Sequence, residues 1–92
     1  RTTIDTGPLV AGTTPVAHNI NGTDGITSNY TAFLVGGSAT NSTSPLWVSL
    51  PYVGVTGTDN ISISVDAFNI NIVNNSGQTF DRSSVTLEFV QN

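Results

Sequence analysis

Cysteine is absent from this chain, which excludes disulfides and thiolate chemistry. Lysine is absent too. Positive charge rests on Arg1 and Arg82 alone, against six acidic residues, for a formal net charge of -4. Affinity for a nucleic-acid backbone requires several phosphates to be neutralised, so nucleic acid is excluded as a partner. The polybasic cluster that holds a protein on an anionic membrane is missing. No apolar run approaches the ~20 residues of a spanning helix, so no membrane insertion is expected. Methionine is absent, and Lys, Arg, Glu and Gln, the straight-chain helix formers, are scarce. Charged residues make up 9% of the chain, against roughly a quarter in an ordinary soluble domain. The chain opens on Arg1 rather than Met, as expected of a processed chain or a fragment.

What is present points to strands. The 92 residues suit one domain, and 37% of them are hydrophobic, enough for a core. Val, Ile and Leu dominate that set, and Val and Ile fit a pleated, half-buried surface. Thr, Ser, Asn and Gly supply the polarity and the turns. The fold class expected is all-β: a single antiparallel β-sandwich of about six to seven short strands, with an N-terminal arm. Residues 1–14, broken by Gly7, Pro8 and Gly12, read as that arm, with one short strand near Leu9 and Val10; residues 15–92 read as the sandwich.

Within the sandwich, Val16 to Ile20 is a short strand ending at the Asn21-Gly22 turn. Asn29 to Val35 is a strand with Tyr30, Ala32 and Leu34 on one face and Thr31, Phe33 and Val35 on the other. Gly36-Gly37 ends it, and 38–44 is a loop. Leu46 to Val55 is apolar throughout but holds Pro51, which places a bulge or an edge there. A turn at Gly57 follows. Ile61 to Ile72 alternates as a hairpin with Ile61, Ile63, Val65, Phe68, Ile70 and Ile72 toward the core. Val85 to Gln91 is the closing strand, with Glu88 outward. Two of these strands are apolar on more than one face. A chain of this size covers one such surface in its own core, so the second is expected to meet further copies in a homotrimer.

The inventory for catalysis is thin. His18 is the one histidine, and it is the only ordinary base for the many Ser and Thr hydroxyls. Asp59 and Asp66 flank one hairpin strand at opposite ends, too far apart for a paired-carboxylate mechanism. Asp24 with Asn21, or Asp59 with Asn60, is too sparse for a calcium site and fits Asx turns. His18 supplies one metal ligand per chain, so only a three-fold axis could gather several. The chain is thus expected to be no enzyme and to hold no metal or cofactor. Asn-x-Ser/Thr sequons at Asn21, Asn29, Asn41, Asn60 and Asn74 follow from the composition. The candidate binding residues are Asn41 and Thr43, in the hydroxyl- and amide-rich loop 36–45, and the aromatics Trp47 and Tyr52. Exposed rings stack on sugars or anchor interfaces, and buried ones fill a core; for Trp47, core or subunit interface is the favoured reading.

Taken in order, several features resemble the C-terminal β-sandwich modules of tailed-bacteriophage tail fibres and related receptor-binding proteins. They are Val16-Ala17-His18-Asn19-Ile20 before a Gly turn, the apolar strand Tyr30 to Val35, the turn Asp59-Asn60-Ile61 into the hairpin ending at Ile72, and the closing strand Val85 to Val90. The resemblance covers residues 15–92 by pattern; 36–45 and Leu46 to Val55 fall outside it. It implies a non-catalytic tip domain of a virion, extracellular and homotrimeric. Its partners would be other virion proteins and a host surface glycan or protein. A capsid decoration or head-fibre protein, and a monomeric carbohydrate-binding or adhesin domain, are the alternatives.

Overall fold

The structure is a computed structural model that describes residues 1–22, 24–43, 46–54 and 59–91, with the backbone alone at residue 33. Its regular elements are eight strands: β1 (Thr2–Asp5), β2 (Gly12–Ala17), β3 (Tyr30–Asn41), β4 (Leu46–Leu50), β5 (Tyr52–Val53), β6 (Asn60–Val65), β7 (Asn69–Asn74) and β8 (Arg82–Gln91). They form two antiparallel four-stranded sheets, β1-β8-β3-β4 and β2-β7-β6-β5. The fold is the all-β sandwich that the alternation predicts.

Period-2 patterning decides what each sheet buries. Val85 and Leu87 of β8, Ala39 of β3 and Leu50 of β4 point inward from the first sheet. Ile61 of β6 and Ile70 and Ile72 of β7 meet them from the second. Leu9 and Phe80 close one end of this core through reciprocal backbone hydrogen bonds of 2.9 Å, and Ile20 closes the other. Phe68, expected among the core residues, is instead 52% exposed. It belongs to the turn after Asp66 rather than to a strand, so the alternation that would turn it inward begins only at Asn69.

The arm is the largest departure from expectation. Thr2–Asp5 pairs with β8, and Gly12–Ala17 forms an edge of the second sheet on β7. Leu9 lies between them, fully buried. The missed signal is Thr2 to Asp5, whose single apolar residue, Ile4, packs on the core against Val85. Four residues are too few to show a period.

β3 also runs past its expected end. The Gly36-Gly37 pair, which reads as a terminator, lies inside a 12-residue strand. Opposite β8 the register steps from Leu34↔Leu87 to Gly36↔Thr86, so Val35 is one extra residue and makes a β-bulge. Leu34 faces the core before the bulge; Gly37 and Ala39 face it after. The step reverses which residues point out, placing Ser38 and Thr40 on the outer face. A Cβ at Gly37 would overlap the Ser84 carbonyl oxygen, so only glycine lets β3 approach β8 there.

Pro51 marks where the chain changes sheets. Leu50 ends β4 at the edge of one sheet, and Tyr52 begins β5 at the edge of the other, with a cis peptide between Leu50 and Pro51. Proline has no ladder N–H to satisfy, so it suits this crossing. The turn expected at Gly57 lies outside the described residues, as does the side chain of Phe33.

If residues 1–14 are part of the core rather than an arm, Leu9→Ala should lower unfolding stability by about 2–5 kcal/mol, the usual cost of truncating a fully buried leucine. Urea denaturation measures this; a dispensable arm would show no change.

Candidate functional site

The outer faces of the two sheets differ in chemistry. The second sheet presents Thr13, Pro15, Ala17, Ser62, Ser64 and Val53, with no aromatic ring and no charged group among the described strand residues. On the first sheet, register places Asp5, Ser84, Ser38 and Ser49 in one row across all four strands. The adjacent row runs Arg82, Thr40, Trp47 on β8, β3 and β4. Thr3 lies opposite Thr86, with their hydroxyls 2.8 Å apart.

Short side chains between longer ones leave an open groove of about 420 Å³, lined by Thr3, Asp5, Ser38, Thr40, Arg82 and Ser84, with Ser83 beneath. Trp47 stands beside it, 68% exposed. The bulge at Val35 is what brings Ser38 and Thr40 to this surface. Asp5 Oδ1 accepts a 2.9 Å hydrogen bond from the Gly7 N–H, which fixes the carboxyl at the groove rim. Arg1, at the far corner of the face, pairs with Glu88 at 3.2 Å. The Arg82 side chain makes no hydrogen bond or ion pair among the described residues. The groove and its border therefore offer hydroxyls that donate and accept, the Asp5 carboxylate, the planar Arg82 guanidinium and the exposed Trp47 indole.

The four residues singled out from the sequence are not gathered in one place. Trp47 is on this face, and its exposure removes the core half of the core-or-interface reading. Tyr52, five positions on, sits in the other sheet, half-buried and packed against the core. Asn41 and Thr43 are together at the end of β3, but Asn41 is committed inside the fold. Its Nδ2 donates to the Thr79 carbonyl at 3.0 Å, and its Oδ1 accepts from the Thr43 N–H at 3.0 Å. The expected loop 36–45 is mostly strand, and residues 44 and 45 are outside the described set. Asn41 and Thr43 border a second, more apolar groove of about 520 Å³ with Pro8, Val10, Phe80 and Asp81. Sequence reasoning missed Asp5, Ser38, Thr40, Arg82 and Ser84. For Arg82 and Ser84 the signal is the alternation Arg82-Ser-Ser84-Val-Thr86-Leu, which turns Arg82, Ser84 and Thr86 outward while Val85 and Leu87 point in.

The remaining chemistry-bearing residues tie turns down. His18 is buried; its Nδ1 accepts from the Ile20 N–H at 3.0 Å, so Nε2 carries the proton that it donates to the Asp66 carbonyl at 3.1 Å. Both ring nitrogens are occupied within the fold. Asn74, one of the sequons, is buried, with its Nδ2 on Gln78 O and its Oδ1 accepting from Ser76. Among the described residues no group of three or more His, Asp or Glu side chains gathers.

Two exposed carboxylates clamp turns. Asp66 accepts from the Asn71 side chain and from the Phe68 and Asn69 N–H groups, which hold its carboxyl below the ordinary value of 3.8. Asp81 accepts from the Ser42 hydroxyl and N–H and is lowered likewise.

No protein-family model, curated protein or solved structure matches this chain.

Both carboxyls are lowered on folding, so their stabilisation is complete above the unfolded value and is lost as pH falls through the lower folded one. Thermal stability should therefore hold steady down to about pH 4 and decline below it. Asp66→Asn and Asp81→Asn should each flatten that decline, read as melting temperature between pH 2 and 7; an undiminished acid limb in the double variant would assign it to other groups.

Proposed function

We propose that this chain is a non-catalytic attachment module of a virion, the tip domain of a tail fibre. In this reading it acts as a homotrimer and holds a host-surface glycan on the outer face of the first sheet. The observation that carries the glycan reading is the groove itself: hydroxyls of Ser38, Thr40 and Ser84 between Asp5 and Arg82, with Trp47 exposed at its side. Sugars present a ring face of C–H groups and a rim of hydroxyls. An indole covers the first and groups such as these bond the second. The groove is open rather than enclosed, which suits a residue within a longer polysaccharide. The strands hold the donors and acceptors in fixed register, so little ordering is left to occur on binding.

The homotrimer is supported by large apolar side chains left in solvent away from the groove. Val10, Val53, Phe68 and Val90 are each more than half exposed. A domain of 9.6 kDa with no disulfide gains stability by covering such residues in an assembly.

Trp47→Ala should weaken binding to an array of bacterial surface polysaccharides and mammalian glycans at least about tenfold, the loss typical of an aromatic anchor. Its melting temperature should stay unchanged, because the ring is exposed. Equal glycan binding by the variant would remove Trp47 from the site. Light scattering at micromolar concentration should give three times the chain mass, and a well-behaved monomer would refute the assembly.

A further inference from the structure

Resting on the glycan reading above, we infer that the sugar held on this face is acidic, a pyranose bearing a carboxylate that Arg82 binds. Both of the chain's cations lie on this one face. Arg1 is already paired with Glu88; Arg82 makes no hydrogen bond or ion pair among the described residues, although its charge acts on the neighbouring Asp81 and helps to lower that carboxyl. Asp81, its neighbour in sequence, is engaged by the Ser42 hydroxyl and N–H. Asp5, the other acid near the groove, is held by the Gly7 N–H one row away. A free guanidinium on a chain of net charge -4 is a local site of opposite sign, and its planar fork matches a carboxylate in a bidentate pair.

Position supports the same match. Arg82, Thr40 and Trp47 occupy one row on three adjacent strands. Two strand spacings put the outer two backbones about 10 Å apart, with a short threonine between them. One pyranose ring fills that gap. Its apolar face lies on the indole, and a ring carboxylate reaches the guanidinium. Asp5 stands on the opposite side of Arg82 from Trp47, so its charge directs the sugar's carboxylate toward Thr40 and the sugar's hydroxyls toward itself. The hydroxyls of Ser38 and Ser84 lie between to bond that rim.

The test is a glycan array in which each acidic saccharide, uronate oligomers and sialylated oligosaccharides included, is paired with its carboxyl-reduced neutral form. The wild-type chain should bind the acidic member of the recognised pair about tenfold or more tightly, the worth of a charge-assisted hydrogen bond. In Arg82→Gln the two members should bind within about twofold of each other. Arg82→Lys should recover part of the preference, since it keeps the charge and loses the fork. All three chains should melt at nearly the same temperature near neutral pH, because Arg82 is exposed and makes no hydrogen bond or ion pair among the described residues. Equal binding of both members by the wild type, with both lost in Trp47→Ala, would overturn the acidic assignment and leave the glycan reading standing. No binding anywhere on the array would overturn both.

Discussion

The pairing of β3 with β8 is the contact on which the core and the candidate site both depend. These are the two longest strands and the two inner strands of their sheet. Their register is broken once, at Val35. Without that extra residue the inward series from Leu34 would continue through Gly36, Ser38 and Thr40. Two hydroxyls would be buried in the core, and Ala39 would face solvent. With the bulge, Ala39 is fully buried and the hydroxyls line the groove. Burying a hydroxyl without a partner costs roughly 1–3 kcal/mol, so the bulge matters to stability as well as to the surface. Gly37 lets the backbones close up directly after it.

The chain has little charge to hold its turns, and it uses amide, hydroxyl and carboxylate bonds to the backbone instead. Asp66 closes the β6–β7 turn, Asn74 the one after β7, and Asp81 with Ser42 joins the β3 end to the approach of β8. His18 joins the segment after β2 to that same β6–β7 turn. Thr6 and Ser83, both buried, satisfy each other, and Ser83 also donates to the Gly7 carbonyl. No buried side-chain polar atom among the described residues lacks a partner. Part of the abundance of Asn, Ser and Thr therefore has a structural use in the ends of the sandwich, and the side chains bonded there are not available to a ligand.

That division explains what could be read from the sequence. The hairpin from Ile61 to Ile72 and the strand from Val85 were legible because apolar residues alternate there over five or more positions, and the structure buries Ile61, Ile70, Ile72, Val85 and Leu87. The all-β class followed from the same pattern. β1 was not legible: an edge strand of four residues needs only one apolar side chain, and its pairing partner is about eighty positions away. The extension of β3 was hidden because a bulge and a strand end use the same residue, glycine. Of the site, only Trp47 was found. Asp5, Thr40 and Arg82 come from three strands joined by long-range register, and no local window contains them.

The asymmetry between the two outer faces is the last step. The outer face of the second sheet carries hydroxyls such as Thr13, Ser62 and Ser64 and no charged residue among its described strand positions. Both arginines, Asp5, Glu88 and the single tryptophan lie instead on the side of the first sheet. An exposed indole is costly, since burying an aromatic side chain is worth roughly 1.5–3 kcal/mol, and an isolated surface ion pair such as Arg1–Glu88 returns little. Turning Trp47 into the core would take a one-residue change of register, which would also turn Leu46, Val48 and Leu50 out and Ser49 in. The sheet instead keeps Trp47 outward beside Thr40, with Arg82 free in the same row. In the proposed reading, a ligand that covers the ring and meets the guanidinium would supply the contacts that both side chains lack in the folded chain.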